Sequence, residues 1–146
     1  MILDPFTSMN KDEIEKLATA YIDHFSNLHE WNDEMVLKER DNSGTEWASN
    51  KVFDITYENP EDLWELILAI LHRDPPTEVI EVLAAGPLED YLVKCGEQVI
   101  GQVEEQAAKD KKFKSLLGGV WKNAMSDEVW ARVQASWDRT EWDNGV

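Results

Sequence analysis

Leu66-Ile67-Leu68-Ala69-Ile70-Leu71 contains no polar residue, and this run constrains the chain more than any other stretch. It follows Asn59-Pro60-Glu61-Asp62, which reads as a helix start. Asn59 suits the N-cap, Pro60 the first turn where no amide hydrogen is needed, and Glu61 and Asp62 face the positive end of the helix dipole. A helix apolar on every side has to be covered on every side. The segment falls short of the about 20 apolar residues that span a bilayer. It is therefore expected to be the central helix of a soluble core, ending at His72, whose imidazole would sit by its own last carbonyls.

The other segments read as helices that pack around it. Asn10 and Glu13 have the spacing of a capping box, and Ile14, Leu17, Ala18, Tyr21, Ile22 and Phe25 recur at helical period behind them. A weaker helical patch runs from Glu30 to Glu39, with Trp31, Met35 and Val36 turned inward. Asp41-Asn42-Ser43-Gly44 is a turn cluster that ends it. Beyond, Phe53, Ile55 and Tyr57 alternate with Asp54 and Thr56, which predicts an extended segment in a loop over the core.

After Pro75-Pro76, Thr77 caps a helix that Gly86 is expected to end and Pro87 to restart. Cys95-Gly96 is expected to break the chain again before a longer helix over residues 97–109, in which Gly101 marks a close helix contact. Phe113 to Trp121 form another helix, weakened by Gly118-Gly119. Ser126 caps the last one, with Val129, Trp130, Val133 and Trp137 on one stripe. The prediction is an all-α fold: a compact, irregular multi-helix array around the central apolar helix at about residues 60–72, with one long loop at about 41–59. Residues 1–146 read as a single helical domain with a polar, loose tail at 138–146.

Pro60-Glu61, Trp64-Glu65-Leu66-Ile67, the block Leu83-Ala84-Ala85-Gly86-Pro87-Leu88-Glu89-Asp90, Phe113, Val120-Trp121 and Val129-Trp130 with Arg132-Val133 resemble the bacterial DUF6869 domain. The likeness runs from Trp47 to Val133, and the Ala-Ala-Gly-Pro-Leu-Glu block is its most specific part. The resemblance implies a compact helical bacterial domain and carries no catalytic residue, because the family has no assigned activity. This chain has Cys95-Gly96 where such sequences often show His-Gly.

Charge bounds function more than motif does. The net charge is −16, spread over both halves rather than gathered in a tail. A folded domain this acidic repels nucleic acid and anionic membranes and attracts basic proteins at long range. Cys95 is the sole cysteine, which rules out an internal disulfide or a cysteine-based metal cage. The start, Met1-Ile2-Leu3-Asp4-Pro5, lacks the basic and apolar regions of a signal peptide, so a cytoplasmic location is expected.

His24, His29, Glu30, Asp33 and Glu34 are the densest set of metal-ligand types. Without a His-Glu-x-x-His pattern or a second cluster, a solvated helix face is the simpler reading. No catalytic constellation and no cofactor are expected. Glu89 and Asp90 read first as charges at a helix start, with an acidic partner-binding edge as the sharper alternative.

The leading expectation is a non-enzymatic, acidic protein-binding domain, most concretely an immunity or antitoxin-type protein that occludes a basic toxin or nuclease domain. The expected partner surface comprises Glu30, Asp33, Glu34, Glu39, Asp41, Glu46, Trp47, Asp54 and Glu58. Trp31, Trp47 and Trp142 are the contact candidates, and Trp64, Trp121, Trp130 and Trp137 the core ones. Two other classes remain open: a helical scaffold acidic only for solubility, or a metal-dependent hydrolase built on the His24–Glu34 cluster.

Overall fold

A computed structural model describes residues 8–26 and 46–144, and every regular element among them is helical. The chain divides into two compact units, Met1–Val79 and Ile80–Val146.

In the first unit, α1 (Lys11–Phe25) opens with the predicted capping box. The Asn10 side chain accepts the Glu13 amide at 2.8 Å, and the Glu13 carboxylate accepts the Asn10 amide at 3.1 Å. α2 (Glu46–Glu58) and α3 (Pro60–Leu71) follow, and the three helices pack pairwise against one another. The core they share holds Leu17, Ala18, Tyr21, Ala48, Ile55, Leu63, Leu66, Ile67 and Ile70. The end of α3 is tied to α1 by Arg73, whose guanidinium pairs with the Glu15 carboxylate and donates to the Glu15 carbonyl at 3.0 Å.

Two expectations about α3 change. Asn59 makes no side-chain cap; its carbonyl accepts the amides of Asp62 and Leu63 at 3.0 and 3.2 Å, and Pro60 supplies the first turn. Nor is the helix covered all round. Glu65 is exposed, and Leu68 and Ala69 are half-buried, lining a groove of about 580 Å³ with Met9, Ile14 and His72. Asp62 is buried, and it accepts the Met9 amide at 3.0 Å.

The long loop expected at about 41–59 is corrected by α2, which occupies Glu46–Glu58. Ala48, Val52, Ile55 and Thr56 are its buried positions, a helical spacing, while Phe53 and Tyr57 face solvent. The alternation that suggested a strand came from counting those two aromatic residues as inward. Burial of one face against α1 and α3 outweighs the modest helix propensity of Val52, Ile55 and Thr56.

The boundary between the units falls within α4 (Thr77–Leu83). The expected stop at Gly86-Pro87 does not occur. The backbone widens into a π turn over Ala84–Leu88 and continues as α5 (Glu89–Lys109). Proline lacks an amide hydrogen and crowds the carbonyl four residues back, and a wider turn accommodates it within a helix. The Glu89 amide accordingly donates to the carbonyl of Ala84, five residues earlier.

α5 also runs unbroken through Cys95-Gly96. A Cβ at Gly96 would lie 3.0 Å from a Val129 methyl, so this glycine is where α5 meets α7 (Asp127–Ser136) closely. Gly101, the glycine expected in that role, is exposed with nothing near its missing Cβ. Arg132 of α7 straddles the Glu104 carboxylate of α5, with Nε donating at 2.9 Å, a planar two-point pairing.

Asp110 caps α6 (Lys111–Leu117) by accepting the amides of Lys112 and Phe113, and Ser126 caps α7 as predicted. Part of the segment read as a tail is helical. Thr140–Asn144 form α8, and Trp142 Nε1 donates to the Ser115 carbonyl at 2.7 Å. Arg139 reaches the Gly118 carbonyl at 2.9 Å, and the Asp138 amide donates to Lys114 at 3.0 Å.

Candidate binding face on α2

Because Ala48, Val52, Ile55 and Thr56 turn toward the core, helical geometry sends the residues about half a turn away into solvent. Those are Glu46, Trp47, Asn50, Phe53, Asp54, Tyr57 and Glu58, all exposed. Trp47 is 43% exposed, Phe53 65% and Tyr57 57%, so three of the four exposed large hydrophobic residues of the described chain share one helix face. Phe53 and Tyr57, one turn apart, bring their ring centroids to 5.1 Å with planes tilted by 56°.

Burying an aromatic side chain contributes on the order of 1.5–3 kcal/mol, which makes three left in solvent on one arc an unusual arrangement. Carboxylates are interspersed with them. Glu46, Asp54 and Glu58 are exposed on the same arc, and the helix's one cation, Lys51, is half-buried at its edge. A face on which aromatic and anionic side chains are interspersed has the composition of a protein-recognition patch for a cationic partner.

Of the nine residues predicted for the partner surface, Glu46, Trp47, Asp54 and Glu58 therefore lie together on α2. Glu30, Asp33, Glu34, Glu39 and Asp41 lie outside the described residues, as does the helical patch predicted around them. Phe53 and Tyr57 were missed for the reason given above: read as strand, they point inward, while read at helical period they fall on the solvent side of α2 with Trp47.

The metal reading has one described member. His24 is buried, at 3% exposure, with Phe25 edge-on at 4.8 Å. His29, Glu30, Asp33 and Glu34 lie outside the described residues. Among the described residues no group of three or more His, Cys, Asp or Glu could hold a metal ion. Cys95 is half-buried on the wall of a pocket of about 280 Å³ with Gly96, Ser126 and Val129.

The acidic corner at Glu89-Asp90 resolves into two unlike residues. Glu89 is buried and accepts the Trp121 amide at 2.9 Å and the Asn123 side-chain amide at 3.1 Å, using both oxygens to hold the loop after α6. Asp90 is exposed, and its pKa is raised by partial desolvation and then by the charge of Glu89. Trp121, expected in the core, is 73% exposed because α6 has already ended at Leu117. Trp142, expected as a contact, is instead packed within its unit, while Trp130 and Trp137 are half-buried and meet edge to face at 5.3 Å. Trp31 lies outside the described residues.

An all-helical protein with an acidic, aromatic-bearing face is the class these features define. The chain belongs to DUF6869, a family of unknown function, whose family model matches residues 32–141. No curated protein and no solved structure matches it. No helix among the described residues is long and apolar enough to cross a membrane.

Proposed function

We propose that this is a non-enzymatic protein-binding domain that captures a basic protein on the outward face of α2, most concretely a bacterial cytoplasmic immunity-type protein that occludes a basic toxin. The observation that carries the reading is the exposed arc of α2 that holds Trp47, Phe53 and Tyr57 together with Glu46, Asp54 and Glu58. The net charge of −16 supports it from a distance, since long-range attraction raises the rate of encounter with a cationic partner. In this mechanism the carboxylates pair with lysines and arginines that the toxin uses on its own substrate, and the aromatic residues anchor the complex after encounter. The same charge disfavours nucleic acid and anionic membranes as partners.

The test is capture from the native host, with identification of what is retained. The expected result is one basic protein, toxic when expressed alone and harmless when co-expressed with this chain. The triple reversal Glu46→Lys, Asp54→Lys, Glu58→Lys is expected to abolish both capture and protection while the domain still melts cooperatively. Protection that survives the reversal would overturn the assignment to α2. A captured protein that is acidic, or capture indifferent to salt, would overturn the charge mechanism.

A further inference from the structure

Phe53, Asp54, Tyr57 and Glu58 form two neighbouring i,i+4 pairs on the outward face of α2, one aromatic and one anionic. Residues four apart on a helix stand one above the other, so each pair forms a short row; the rows are turned about 100° from each other around the helix and approach where Asp54 and Tyr57, three residues apart, are neighbours. The aromatic row has centroids 5.1 Å apart and planes at 56°, neither stacked nor perpendicular. Phe53 is 65% exposed and Tyr57 57%, so much of the aromatic row lies at the surface. The anionic row sets two like charges one turn apart, an arrangement that repels within a helix and gains most from a cation placed between them.

We propose that this four-residue cluster is a subsite for an arginine side chain of the basic partner, the guanidinium lying against the Tyr57 side of the aromatic row with its N–H groups directed at Asp54 and Glu58. This rests on the reading of α2 as the capture face. An aromatic face attracts a cation within about 6 Å of its centroid, and a neighbouring carboxylate row meets the same cation from the side. Arginine fits both rows at once. Its guanidinium is planar, stacks on aromatic rings, presents several donors in a fixed fork and is less strongly hydrated than an ammonium. Lysine offers a compact, well-hydrated point charge that satisfies the carboxylates but gains less from the rings. The subsite would therefore make the domain selective among basic proteins for those that present arginine.

Two acetylated peptides of equal charge, hexa-arginine and hexa-lysine, are titrated into the isotopically labelled full chain and followed by amide chemical shifts. The expected result is shift changes centred on Phe53 to Glu58, with hexa-arginine bound several-fold more tightly. The double variant Phe53→Leu, Tyr57→Leu keeps the charge and changes only exposed positions. It is expected to weaken hexa-arginine by about two- to five-fold per ring and to erase the difference between the peptides. Asp54→Asn with Glu58→Gln is expected to weaken both. Equal affinities for the two peptides at α2, or a double variant without effect, would overturn the arginine subsite while leaving charge-driven capture on α2 intact. Shift changes centred on another element would overturn both.

Discussion

The ring of Trp142 fills the space in which a side chain at Gly119 would have to stand: a Cβ there would lie 2.3 Å from Cζ2 of the indole and 2.9 Å from the Cβ of Ala84. The glycine is thus required by what packs on it, and the C-terminal helix is held by that fit. Gly119→Ala is expected to expel Trp142 and destabilise the protein by about 2 kcal/mol. Trp142→Ala should cost a comparable amount, less than the ~3–5 kcal/mol of a fully buried aromatic truncation, since the ring is half-buried. Denaturant melts of both single variants and the double variant check this. Because either change breaks the same contact, the two losses should be far from additive.

Glu89 is expected to matter through the loop it holds. Glu89→Ala removes the acceptor of the Trp121 amide and of the Asn123 side chain, at a cost of about 1–3 kcal/mol. Glu89→Gln keeps one carbonyl oxygen and should retain part of that stability. Hydrogen exchange at the Trp121 amide is the direct readout, with protection falling in the order wild type, glutamine, alanine. Equal protection in all three would show that the loop is held by other contacts.

Acid should weaken the fold through its paired carboxylates. The hydrogen bond from the Arg132 guanidinium, opposed by desolvation and helped least by the Arg132 charge, holds Glu104 below its ordinary value of 4.5. Asp127 is lowered by Lys122, and Asp138 by hydrogen bonds from Thr140. A carboxyl whose pKa is lower in the folded state stabilises above its unfolded value and loses that contribution as pH falls through the folded one. The melting temperature is therefore expected to be level from neutral pH down to the ordinary carboxylate range and to fall below it. These groups are exposed, so each contribution is small. Glu104→Gln should lower the melting temperature near neutral pH, and its deficit should shrink toward zero in acid. Asp90 has the opposite sign, its raised pKa meaning that ionisation works against the fold. Asp90→Asn should then help slightly at neutral pH and make no difference in acid.

What the sequence determined by itself is local. The caps at Asn10 and Ser126 are hydrogen bonds closed within three residues, and spacing alone announces them. The run from Leu66 to Leu71 likewise marked a largely buried helix, and the Ala-Ala-Gly-Pro-Leu-Glu block the family. Tertiary structure decided the rest, because the deciding partner lies far along the chain. Gly86-Pro87 has the grammar of a helix stop, yet the helix continues through a π turn that absorbs the proline. Gly96 and Gly119 look like local breaks, and their reasons are Val129 and Trp142. The candidate face was half legible. Glu46, Trp47, Asp54 and Glu58 stood out as charge and aromatic character, whereas Phe53 and Tyr57 joined them only when packing on α1 and α3 selected helix over strand. A short alternation of aromatic and polar residues fits either period, and only burial of the opposite face tells them apart.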